Sequence, residues 1–141
     1  MGKINWGRVV LGGLLAGVII NLSEYVLNTI VLAKDLAAAM SALGKGPEAM
    51  AAGIPLWIVW SFVMGLGGVW LYAAIRPRFG AGPKTAAIAG LALWVIAYLT
   101  FGIAMKAMDV MTDKINCISL VWGLVECQIA LQLGAWSYKE T

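Results

Sequence analysis

The chain has 141 residues, of which 62% are hydrophobic and 12% charged, with a formal net charge of +3 and no histidine. Water-soluble domains are about 45–50% apolar and about 25% charged, so an excess of this size calls for a lipid-facing surface. The missing histidine excludes haem ligation through imidazole, Glu-x-x-His di-iron sites and histidine-based triads or proton relays.

The first apolar stretch runs from about 9 to 33, where Lys34 and Asp35 stop it. Residues 34–53 hold a short helix former broken at Gly44 and Gly46, which should lie along the membrane surface. The second stretch covers about 54–75 and is expected to end at Arg76-Pro77-Arg78, because proline does not continue a helix. After Gly80-Ala81-Gly82-Pro83-Lys84 the third covers about 85–104, and the fourth covers about 118–137, with a polar loop at 106–116 between them. About 20 apolar residues cross the hydrocarbon core, so each stretch suffices. The expected fold is all-α: an integral membrane four-helix transmembrane bundle with short loops, a single membrane domain over residues 1–141.

Six cationic residues, Lys3, Arg8, Arg76, Arg78, Lys84 and Lys139, fall on one side of this arrangement. The other side has four, Lys34, Lys45, Lys106 and Lys114, diluted by Asp35, Glu48, Asp109 and Asp113. The positive-inside rule then puts both termini in the cytoplasm, as for a bacterial inner-membrane protein. The charge sits at segment ends, so it describes orientation and not a nucleic-acid surface. Ala16-Gly17 followed by Tyr25 recurs as Ala89-Gly90 followed by Tyr98, and Val59-Trp60 recurs as Val121-Trp122, echoes that would fit a duplicated two-helix unit.

One face of the first helix carries Gly13, Gly17, Asn21, Glu24 and Asn28, spaced four, four, three and four. The fourth has a matching face of Ser119, Gly123, Glu126, Ala130 and Ser137. At 1.5 Å per residue both glutamates lie roughly 12–15 Å deep, at one level. An ionised carboxylate there costs several kcal/mol unless paired, hydrated or neutralised, and no Lys or Arg lies within the four spans. Asn21, Glu24, Asn28 and Glu126 are therefore the candidate polar site, for a proton or a cation. The competing reading is that protonated glutamates simply join helices. Gly65 and Gly68 in the second helix and Gly90 in the third extend the small-residue packing seams begun by Gly13, Gly17 and Gly123.

Trp60, Trp94 and Trp122 lie inside the spans and could line an apolar cavity for a lipid, quinone or pigment. Met105, Met108 and Met111 repeat every three residues on the outer side, and thioethers suit Cu(I); the plainer reading is a Met-rich turn packed on the membrane. Cys117 and Cys127 lie ten apart with no C-x-x-C, so neither a zinc knuckle nor a redox pair is expected.

No nucleotide loop, activated nucleophile or dinucleotide fingerprint occurs, so the chain is not expected to be an enzyme. In length, helix number and the carboxylate of its first helix it resembles the small multidrug resistance carriers. That likeness is architectural and assigns no residue, and the second intramembrane glutamate departs from the family's pattern. The first expectation is an oligomeric carrier or channel using Glu24 and Glu126. The alternatives are a non-catalytic accessory subunit of a larger membrane complex, holding lipid, quinone or pigment, and an outward-facing Cu(I)-handling protein. The expected partners are the bilayer and either further copies of the chain or other subunits.

Overall fold

In hydrocarbon every backbone N–H and C=O needs an internal partner, and a helix supplies them all within one segment. The computed structural model describes residues 3–139, and among these the apolar stretches form four helices long and apolar enough to cross a membrane. In chain order the elements are α1 (Trp6–Val31), the short α2 (Ala33–Ala42), α3 (Pro47–Phe79), α4 (Pro83–Ala107) and α5 (Asp113–Trp136). The expected all-α transmembrane bundle is present.

Local chemistry sets the ends. The Asn5 side chain caps α1 by accepting from the Arg8 N–H at 3.2 Å, and Thr112 caps α5 by accepting from the Ile115 N–H at 3.3 Å. Pro47 opens α3, where its missing N–H is a donor the first turn would leave unpaired in any case. The helix therefore starts earlier than expected from hydropathy. It also continues through Pro77 to Phe79, contrary to the expected stop at Arg76-Pro77-Arg78. A proline so near the end removes a single backbone donor, and the helix terminates where Gly80 takes φ +86°.

Glycines let the helices approach. A Cβ added to Gly13 would lie 2.6 Å from the Leu66 Cα, and one added to Gly65 would lie 2.9 Å from the Gly17 Cα, so α1 and α3 touch backbone to backbone. Gly17 faces Phe62, Gly68 faces Leu93 and Leu131, and Gly90 faces the Cys127 carbonyl. The crossing of α1 with α5 uses Gly12 and Gly134, which lie outside the seams read from the sequence. Gly17 and Gly90 thus each meet the spanning helix that follows, in keeping with the two-helix echo. The tyrosines do not follow it: Tyr25 is exposed and Tyr98 buried.

Large apolar side chains cover the outside, among them Leu22, Ile30, Leu56, Val63 and Ile96, the arrangement suited to lipid contact. A main core runs along the bundle through Ile20, Val69, Ala89 and Leu131. A second cluster joins Leu27, Leu32, Leu36, Ala39 and Ile115, so α2 lies across the ends of α1 and α5. At the opposite end the Asn5 N–H donates to the Tyr138 hydroxyl at 3.2 Å, and the Arg76 guanidinium lies 5.5 Å from the centre of the Tyr138 ring. Two of the acidic residues at the α2 end are ion-paired, Asp35 with Lys114 at 2.8 Å and Asp113 with Lys106.

Candidate functional site

Two of the spanning helices each open by one residue, α1 at its C-terminal end and α4 midway along its length. The last turn of α1, Leu27–Val31, and the Val95–Leu99 turn of α4 are π-helical, with the Leu32 N–H bonded to the Leu27 carbonyl at 2.8 Å. Such turns recur at functional sites, because they re-aim side chains without breaking the helix. Here one π-turn carries Asn28 and the other carries Tyr98.

Tyr98 joins the two glutamates. Its hydroxyl oxygen lies 2.9 Å from Glu24 Oε1 and is also hydrogen-bonded to Glu126 Oε1. The Asn28 amide donates to the Glu24 carbonyl oxygen at 2.8 Å and to Glu24 Oε2 at 2.7 Å. Three helices thus contribute one polar cluster: α1 with Glu24 and Asn28, α4 with Tyr98, and α5 with Glu126. The ring of Tyr98 reaches this place because Gly123 leaves room for it: a Cβ there would lie 2.6 Å from the Tyr98 Cε1. Trp60 closes the other side, edge-on to the tyrosine with ring centres 5.9 Å apart.

Hydrogen counting constrains the cluster. A phenol has one proton to donate, yet its oxygen meets two carboxyl oxygens from different residues. One contact uses the phenol proton and the other needs a proton held by a carboxyl group. The geometry therefore suits a proton shared across Glu24, Tyr98 and Glu126. Glu126 is 3% exposed, and its Oε2 is buried with no hydrogen-bond partner. Among the described residues no group of three or more Cys, Asp or Glu side chains is placed to hold a metal ion.

Of the four polar residues read from the sequence, Glu24, Asn28 and Glu126 come together and Asn21 stands apart. Its amide donates to the Gly17 carbonyl at 2.9 Å and reaches the Ile58 carbonyl of α3 at 3.5 Å. The sequence reading missed Tyr98, which it placed in the repeat and not in the site. The three tryptophans do different things. Trp60 packs on Tyr98, the Trp94 indole donates to the Leu120 carbonyl at 2.8 Å, and the Trp122 indole donates to Ser23 Oγ at 2.8 Å. Of the methionines, Met111 packs against the cluster under α2, whereas Met108 is exposed.

Comparison with protein-family profiles, with curated proteins and with solved structures finds no match to this chain.

Proposed function

We propose that the chain is a small membrane carrier whose working site is the Glu24–Tyr98–Glu126 cluster, where a proton is held and exchanged. The observation that carries this reading is the single Tyr98 hydroxyl shared between two carboxyl groups, the buried Glu126 and the half-buried Glu24. Intramembrane carboxyl groups facing a bundle interior are characteristic of proton and ion pathways. With the shared proton in place, Tyr98 bridges α1, α4 and α5. When the proton leaves, two carboxylates face each other in a medium of low dielectric, and their repulsion pushes α1 and α5 apart. The π-turns beside Asn28 and Tyr98 are where the helices can yield. Proton occupancy thereby becomes coupled to helix packing, which is what a proton-coupled carrier needs.

The charge distribution supports a bacterial inner membrane with both termini cytoplasmic. Lys3, Arg8, Arg76, Arg78, Lys84 and Lys139 gather towards the end where Asn5 meets Tyr138.

The test is the pH-dependent infrared difference spectrum of the purified protein in lipid, comparing the parent with Glu24→Gln and Glu126→Gln. The expected result is a protonated-carboxyl band that titrates and is lost or displaced in both variants, since the two groups share one proton. Carboxyl groups that stay protonated and silent from acid to alkaline pH would refute the carrier reading and leave the glutamates as helix-joining groups.

A further inference from the structure

The cationic end of the bundle holds a pocket of about 320 Å³ where α1 begins and α5 ends, lined by Arg8, Trp136, Ser137 and Lys139. Its volume is within the range of sites that hold small molecules.

Asn5 and Tyr138 hold the pocket in shape. The Asn5 side chain accepts from the Arg8 N–H and so fixes the first turn of α1, while its own N–H donates to the Tyr138 hydroxyl. Tyr138 is buried, edge-on to Tyr72 with ring centres 5.9 Å apart and with the Arg76 guanidinium over its ring, which fixes Ser137 and Lys139 on either side of it. Cations from opposite ends of the chain are thereby brought to one pocket, and among the described residues neither Arg8 nor Lys139 is ion-paired. The Ser137 hydroxyl donates to the Gly134 carbonyl at 2.8 Å, so the two cations are the donors left for a ligand.

Like charges held together repel, and the occupant that complements them is an anion able to meet both. A phosphate does so, because its oxygens accept from a guanidinium fork and from an ammonium at once. The surroundings decide what the phosphate belongs to. Trp136 is 83% exposed beside the pocket, as suits an indole at the headgroup level of a bilayer. Further into the membrane, Leu11 and Leu15 follow Arg8 along one face of α1, and Leu133 and Ile129 follow Trp136 along one face of α5, all four exposed. A cationic head from which two apolar rails lead into the hydrocarbon matches a phospholipid and not a free phosphate. A second copy of the chain, docked by the same surface, would bring the same two cations and repel.

We propose that this pocket binds the phosphate of an anionic phospholipid, such as phosphatidylglycerol, between Arg8 and Lys139, with the acyl chains along α1 and α5. The inference does not rest on the reading of the Glu24–Tyr98–Glu126 cluster.

The test uses the purified full chain in detergent micelles, with native mass spectrometry reading the affinity for phosphatidylglycerol and for phosphatidylcholine of the same chains. Phosphatidylglycerol is expected to bind about five-fold more tightly or better, since the choline ammonium would face the two cations. Arg8→Gln and Lys139→Gln should each weaken its binding about five-fold, the effect of one cation at a membrane surface. Both side chains are exposed, so the helices should persist, which far-ultraviolet circular dichroism checks, and Arg8→Lys should keep most of the affinity. Arg78→Gln and Lys84→Gln remove cations at the same end but outside the pocket and should leave binding unchanged.

Equal losses in all four glutamine variants would overturn the proposal, because the cations would then act as a diffuse field and not as a site. Equal affinity for the two lipids, or no loss in Arg8→Gln and Lys139→Gln, would overturn it as well. Displacement of phosphatidylglycerol by glycerol 3-phosphate, which has the phosphate without the chains, would assign the pocket to a soluble phosphate compound and likewise overturn it.

Discussion

Leu93 and Tyr98 both point into the bundle, each 8% exposed, although five residues separate them. At about 100° per residue a straight α-helix would set them about 140° apart. The extra residue accommodated by the Val95–Leu99 π-turn brings them back to one face. Deleting Ile96, which is 66% exposed and faces outward, should restore α-helical spacing in α4. The expected outcome is a protein with undiminished helix content by far-ultraviolet circular dichroism whose Tyr98 hydroxyl is displaced by about 1.5 Å along the axis. The infrared signal of the shared proton should be lost. A deletion variant with the parent's carboxyl spectrum would show that the π-turn has no part in positioning Tyr98.

Replacing Tyr98 by Phe removes both carboxyl contacts while keeping the ring against Trp60 and Gly123. Interhelical hydrogen bonds in membranes are worth about 0.6–2 kcal/mol, so a loss of about 1–2 kcal/mol in unfolding by sodium dodecyl sulfate is expected. In a cycle with Glu126→Gln the two changes should be non-additive, with a coupling of about 1 kcal/mol. Additive losses would mean that tyrosine and glutamate stabilise the bundle independently.

Gly65 and Gly67 sit two residues apart in α3 and should respond in opposite directions to the same change. A Cβ at Gly65 would press against the backbone of Gly13 and Gly17, whereas one at Gly67 would meet nothing within 4 Å. Gly65→Ala is expected to destabilise by about 1–3 kcal/mol through overpacking. Gly67→Ala should be neutral or stabilising by up to about 1 kcal/mol, from the better helix propensity of alanine. Unfolding titrations of the two single variants check this directly.

Hydropathy was enough to place the four spans, because the lipid requirement acts on every residue of a stretch. Small-residue spacing likewise picked out Gly13, Gly17 and Gly65 as packing positions, since they obey a plain helical period, but not that they join α1 to α3. The limits came where the chain departs from that period. Glu24, Asn28 and Glu126 were legible as polar groups within the spans, but the residue that unites them lies in a π-turn, off the regular walk through Gly90, Trp94 and Ala97. Asn21 shares the Glu24 face by spacing, yet its amide bonds along its own helix and towards Ile58 of α3. The end of α3 was misjudged because proline is tolerated in a last turn, where Gly80 makes the stop.

The apolar cluster beneath α2 bears on timing. Leu27, Leu32, Leu36, Ala39 and Ile115 stand between the carboxyl pair and the end of the bundle that carries Asp35 and Lys114. Water from that side must wait for α2 to lift, and what holds α2 is the burial of Leu36 and Ala39 together with the exposed Asp35–Lys114 ion pair, the latter worth less than about 1 kcal/mol. The short surface helix is thus a stopper set by the frequency of its own fluctuations. The clock for hydrogen–deuterium exchange at Glu126, which is buried, would then be the opening of α2 and not the acidity of the group beneath it.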